Sequence, residues 1–168
     1  MDASLKIQGS FSFDLVEAAL DQVEFLVEIN SLKGVLKDEI IDKAIFRYET
    51  QWIPLYASFN DTSKLYPPTD IEWIWHCHLL APQLYGNDME KLCNKMIDHS
   101  SLPKAEREKR QEETRTIWAE RFKNSFDFLD ENSVDKTEFQ SFKSTISYDL
   151  KLASARQFES FYNVSMPH

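Results

Sequence analysis

Between positions 69 and 81 the chain carries Ile71, Trp73, Ile74, Trp75, Cys77, Leu79, Leu80 and Ala81. At about 100° per residue these side chains spread round a helical cylinder and leave no wide polar face. A helix apolar on nearly all sides belongs in a core with other helices packed around it. Pro67-Pro68 stiffens its approach, Thr69 with Glu72 has the spacing of an N-cap and capping box, and Pro82 bends or ends it.

The flanking stretches show one-sided helical periodicity. Ser12 caps a helix beginning at Phe13, whose inward stripe is Leu15, Ala19, Val23, Leu26 and Asn30, widened by Val16, Leu20 and Val27, with Gly34 as its stop. A second helix from Lys37 or Asp38 to Gln51 turns Ile40, Ile41, Ala44, Ile45, Tyr48 and Trp52 inward; it kinks or ends before Pro54, with room for a short turn through Leu55 and Tyr56. Asn87 with Glu90 opens a fourth, which carries Met89, Leu92, Cys93, Met96 and Ile97 inward and ends near His99. Ser100 or Ser101 caps the next, which is charged for three turns and projects from the body, docking through Trp118 and Phe122. Residues 126–129 fit an edge strand or a loop, Thr137 with Gln140 starts a short helix, and a last one runs from Ile146 or Ser147 to Tyr162 with Leu150, Ala153, Gln157 or Phe158, and Phe161 inward. The predicted fold is all-α: one helical domain over 1–168, a bundle of about six or seven helices around the buried helix at 69–81, with an irregular lead-in at 1–11 and loops at 59–68 and 127–136.

Composition agrees with that picture and narrows the function. A 42% hydrophobic, 13% aromatic chain is not disordered, and three glycines leave little material for tight hairpins. No apolar run reaches the ~20 residues of a membrane span, and no secretory signal is visible at 1–9. The net charge of −9 opposes a general nucleic-acid or anionic-membrane surface. Lys104, Arg107, Lys109 and Arg110 are interleaved with Glu106, Glu108, Glu112 and Glu113, which reads as a solvated face of i,i+4 pairs. Two cysteines, Cys77 and Cys93, in apolar helical patterns predict reduced thiols and a cytoplasmic protein.

The candidate chemistry sits on the central helix. His76 and His78 are two residues apart, so they point about 200° away from each other and cannot both reach one ion from a regular helix. Glu72 and His76 are four apart and share a face, which allows a two-ligand edge of a zinc or iron site or an acid-base pair, against the plainer reading of a capping glutamate and a structural histidine. His78 requires an external partner: a backbone carbonyl, Tyr48, Tyr85 or a carboxylate such as Asp88. Arg47 and Glu49 read as exposed charges, with the sharper alternative that Arg47 meets a carboxylate on another helix, Asp70 being the candidate. Trp73 and Trp75 face opposite ways and pack different neighbours. Cys77 reads as an inert buried thiol. Phosphate loops, nucleophile elbows and zinc-protease motifs are absent from the sequence.

The run Pro67-Pro68-Thr69-Asp70-Ile71-Glu72-Trp73-Ile74-Trp75-His76-Cys77-His78-Leu79-Leu80-Ala81-Pro82 followed by Tyr85 resembles the signature of the glycine-rich domain-containing protein-like family, a former domain of unknown function. Residues 44–49 with 52–55, and the segments 156–158 and 164–167, are similar to other blocks of that family. Relatives extend into a further helical segment and a glycine-rich tail, and nothing of a tail's role is carried to this chain. The resemblance implies a helical module of stress-response or developmental proteins in plants, with fungal relatives and a suggested RNA-binding role. The reading adopted is a non-enzymatic interaction domain with a protein partner and no cofactor. Its rivals are a metal-dependent or acid-base enzyme using Glu72, His76 and His78, and an RNA-associated module. The acid balance predicts weak binding of generic RNA at physiological salt, with Kd above roughly 10⁻⁵ M. Salt-sensitive binding much tighter than that, in a filter or anisotropy titration, would show that the 104–110 segment forms a true basic patch.

Overall fold

A computed structural model describes residues 14–32, 35–99 and 102–165. The expected lead-in at 1–11, the caps Ser12, Ser100 and Ser101, and the stop Gly34 lie outside the described residues, as do the side chains of Phe161 and Tyr162. The described residues form eight α-helical segments: α1 (Leu15–Ser31), α2 (Asp38–Arg47), α3 (Ile53–Ala57), α4 (Thr69–Leu79), α5 (Pro82–Cys93), α6 (Lys104–Arg121), α7 (Lys136–Ser141) and α8 (Leu150–Ser165). A π turn over Tyr48–Trp52 joins α2 to α3 without a break, so the segments make seven separate rods. The described residues contain no strand, and residues 126–129 form turns. The fold is all-α. None of these helices is long and apolar enough to cross a membrane.

α4 lies at the centre. Asp70, Ile71, Glu72, Trp73, Ile74, Trp75, Cys77 and His78 are all buried, and α2, α5 and α8 pack against the helix. Trp73 turns towards α8, where its ring meets Phe158 and its Nε1 donates to Ser154 Oγ at 2.7 Å. Trp75 faces the other way, among Trp52, Tyr56 and His99, and donates from Nε1 to the Tyr85 hydroxyl at 3.1 Å. The helix stops at Leu79, earlier than the apolar pattern suggests, because Leu80 is half-exposed and Pro82 occupies the first turn of α5. Proline fits that position, where its missing N–H would have no partner. α5 therefore starts five residues before the expected cap Asn87 and ends at Asn94, whose φ of 50° gives a left-handed stop well ahead of His99. Met96, expected inside, is exposed.

Three further expectations are corrected. The second helix does not stop at Gln51; it continues past Pro54, the alternative in which a turn runs on through Leu55 and Tyr56. It widens into a π turn in the preceding residues, with the N–H of Ile53 bonded to Tyr48 O, and runs on to Ala57. The widened turn accommodates a ring that lacks an N–H, and it keeps Tyr48, Glu49, Gln51 and Trp52 buried together. α6 does not project: Arg107, Thr114 and Trp118 are buried along its length. A polar helix can lie flat here because its inward side chains are bonded. Thr114 Oγ1 accepts from the Tyr66 N–H, Gln111 donates to Pro67 O, and Arg107 meets Glu28 at 3.3 Å. Finally, α1 is capped by Asp14 and buries Phe25 and Ile29, while the stripe through Val16, Leu20, Val23 and Val27 faces solvent and Leu15 is exposed near its start. The helix has two apolar sides, and the one bearing the phenylalanine faces the body.

Trp75→Ala removes an indole enclosed by three rings and leaves the Tyr85 hydroxyl short of a donor. Unfolding should require about 3–5 kcal/mol less free energy, and an unchanged urea midpoint would contradict the central position of α4.

Candidate functional site

The residues singled out on α4 spread in different directions and meet different elements. Asp70, in the first turn, accepts from Arg47 Nη1 through Oδ2 at 2.9 Å. Arg47 stands at the end of α2, fully buried; its Nη2 donates to Phe126 O at 2.7 Å, and its guanidinium lies 5.4 Å from the centre of the Trp118 ring. The reading of Arg47 and Glu49 as exposed charges is thus corrected: both are buried. Burial pushes Asp70 up to about 6, against the pull of Arg47 and of the first-turn N–H groups. Burial also lowers the Arg47 pKa from its ordinary value.

Glu72 makes no capping box. The residue before Thr69 holds the cap position and no side chain caps the helix. Glu72 is buried, and its Oε1 accepts from the Tyr66 hydroxyl at 2.5 Å. The Pro67-Pro68 pair explains the difference, since it turns the chain so that Tyr66 lies alongside the first turn. Burial lifts the Glu72 carboxyl to about 8, only partly opposed by Tyr66 and by Arg107.

The two histidines go to separate places. His76 is part-buried with its Nε2 3.3 Å from Gln22 Nε2 of α1, and its ring lies beside Phe25 and parallel to Trp73. Burial lowers its pKa, so the ring is neutral and accepts from the Gln22 amide. His78 is completely buried. Its Nδ1 is 3.1 Å from the Tyr48 hydroxyl, its Nε2 is 3.3 Å from Asp88 Oδ2 at a poor hydrogen-bond angle, and the Tyr85 ring meets it edge-on. Burial lowers His78 against the opposing pull of Asp88. The neutral tautomer with hydrogen on Nε2 suits both partners: Tyr48 donates to Nδ1, and Nε2–H faces the carboxylate.

Tyr48, His78 and Asp88 stand in the order of a nucleophile, a base and an orienting carboxylate. Their burial removes that chemistry. Tyr48 is fully enclosed and its hydroxyl pKa is raised well above its ordinary value, so it is not an activated nucleophile. None of the described clefts is lined by Arg47, Asp70, Glu72, His76 or His78; one of about 350 Å³ opens beside Tyr56, Asp61, Asp98, His99 and Arg110. Among the described residues no group of three His, Cys, Asp or Glu side chains could hold a metal ion. Glu72 and His76, although on one face, bond to different partners. The Cys77 thiol is pushed up to about 12 by burial and is inert at neutral pH.

Two carboxylate clamps were not foreseen. Glu49, in the π turn, accepts from Ser144 Oγ at 2.7 Å and from the N–H and hydroxyl of Thr145 at 2.8 and 2.6 Å. Asp88 accepts from the N–H and hydroxyl of Ser147 at 2.9 and 2.6 Å. Together they hold the strand-less segment between α7 and α8 against the body. The only available signal was the Ser144-Thr145-Ile146-Ser147 run, whose hydroxyls fit either solvent or a carboxylate.

Because Glu72 binds a proton near pH 8 when folded and near 4.5 when unfolded, the folded state holds the extra proton between those values. Stability from this group is therefore present below about pH 4.5 and lost as pH rises through about 8. Glu72→Gln should flatten the fall in melting midpoint across that window relative to the unaltered chain, the histidines contributing equally to both. Parallel profiles would show that Glu72 is ionised in the fold.

The family model described as Glycine-rich domain-containing protein-like matches residues 1–88 and 84–168. Glycine-rich domain-containing protein 2 of Arabidopsis thaliana is 30% identical over 164 residues, which is 94% of this chain and 21% of that protein. Glycine-rich domain-containing protein 1 of the same plant is 30% identical over 166 residues, 94% of this chain and 20% of that protein. The chain thus spans about a fifth of the length of these relatives. No solved structure matches it.

Proposed function

The chain belongs to the glycine-rich domain-containing protein-like family, and from that premise we propose that it is a non-enzymatic helical interaction domain that binds another protein. The observation that carries this reading is the sealing of its polar motif. Asp70, Glu72 and His78 are buried and each is engaged by a side chain from another part of the chain: Arg47, Tyr66, and Tyr48 with Asp88. Groups enclosed in this way join helices and do not meet a substrate. Recognition then falls to the outer surface, and the acid balance directs it towards a protein before a nucleic acid. The stress-response or developmental role implied by the family resemblance is part of this proposal. So is a cytoplasmic location, in keeping with the free thiols Cys77 and Cys93.

The test is recovery of the bound partner by affinity purification of the full chain, followed by reconstitution from purified components after nuclease and chelator treatment. A saturable protein complex should survive both treatments, and the purified chain should carry no stoichiometric metal before or after His76→Ala or His78→Ala. Loss of the complex on nuclease treatment would establish the RNA-associated reading. Zinc or iron that disappears with either histidine would establish the metal-dependent one.

A further inference from the structure

The side of α1 turned away from the body is more apolar than solvent alone would favour. At about 100° per residue, Phe25 and Ile29 share the inner side with Ala18 and Gln22. Val16, Leu20, Val23 and Val27 occupy successive turns on the opposite side, 71%, 66%, 56% and 66% exposed. Valine is a poor choice for a solvated helix face, because its branched side chain loses freedom there without gaining contacts. The spacing i, i+4, i+7, i+11 is that of a seam that receives a second helix.

Charge along the seam narrows the occupant. Glu17, Asp21, Glu24 and Glu28 all lie on one edge, and α1 contains neither Lys nor Arg. At the C-terminal end of this edge Arg107 of α6 already stands 3.9 Å from Glu24 and 3.3 Å from Glu28. No ion pair engages Glu17 or Asp21 among the described residues. An anionic membrane would be repelled by the four carboxylates. A second copy of the chain in antiparallel register would set one acidic edge against the other, and in parallel register it would leave both uncompensated. A helix with basic residues along the matching edge satisfies the seam and the carboxylates together.

We propose that the outward face of α1 docks an amphipathic helix of a partner protein, whose apolar stripe covers Val16, Leu20, Val23 and Val27 and whose Lys or Arg residues meet Glu17 and Asp21. This rests on the interaction-domain reading and adds to it the surface and the partner chemistry. The probe is a labelled synthetic 18-residue helix with leucines at i, i+4, i+7 and i+11 and lysines along one edge, titrated with the full chain by fluorescence anisotropy. A second peptide carries glutamates in place of the lysines. The lysine peptide should bind at least about tenfold more tightly, with the advantage shrinking as salt is raised. Leu20→Lys with Val23→Lys should abolish binding at an unchanged melting midpoint, since both sites are exposed. Glu17→Lys with Asp21→Lys should reverse the preference between the peptides. Equal binding or no binding of the two peptides overturns the proposal. So does a dimer in sedimentation equilibrium that Leu20→Lys dissociates, or stronger binding to phosphatidylserine vesicles than to the lysine peptide. If the peptides fail while a reconstituted protein complex persists, α1 is excluded and the interaction reading stands.

Discussion

The structure depends on one constraint: a helix buried on every side carries two carboxylates and an imidazole. Stripping solvent from such groups is costly unless partners replace it. α4 therefore dictates what its neighbours must supply and from which direction. Arg47 has to arrive at Asp70 from the end of α2, Tyr66 has to lie beside Glu72, and Tyr48 and Asp88 have to reach His78 from the π turn and α5. The π turn is part of this solution, because it holds Tyr48 and Glu49 inside together and gives each a separate task, one towards His78 and the other towards the 144–145 segment.

Such wiring is a weak source of net stability, and its geometry is more demanding than that of an apolar contact. Breaking one partner from a buried ion pair costs about 3–5 kcal/mol, whereas an apolar pair of equal volume is often no worse than the intact ion pair. An apolar contact tolerates rotation and slippage. Arg47 tolerates little, since the same guanidinium faces Asp70, the Phe126 carbonyl and the Trp118 ring. It thereby sets α2, α4, α6 and the segment following α6 in one mutual arrangement. The clamps of Glu49 and Asp88 extend the same logic to the approach to α8.

Much of the fold was legible in the sequence, and the failures share a cause. An apolar run without a polar face identified α4 as central, and the two-residue spacing of the histidines separated them. Helix ends were misplaced where a residue could serve two roles. Pro82 closes one helix and equally well opens the next, and Thr69 with Glu72 has capping-box spacing that burial of Glu72 overrides. Periodicity also assumes one inward side per helix. α1 has two apolar sides, and only the packing of Phe25 against His76 and Arg107 decides between them. Buried polar residues on α6 were invisible for a related reason: Thr114 and Arg107 read as exposed until their partners, Tyr66 and Glu28, are placed by other parts of the chain.

The same partition between inside and outside bears on the proposed function. A motif that joins unusual residue types draws attention as a reactive centre, yet Trp73, Trp75, His78 and Cys77 are all enclosed, with the thiol and the Tyr48 hydroxyl both made harder to ionise. Here burial moves Tyr48 and Cys77 further from ionisation at neutral pH, and the Tyr48 hydroxyl is engaged by His78 across helices. On the exterior, an acidic surface is interrupted along α1 by apolar side chains that no described residue covers. Burial in the core accounts for the motif; it does not account for Val16, Leu20, Val23 and Val27, which the proposed partner helix would cover.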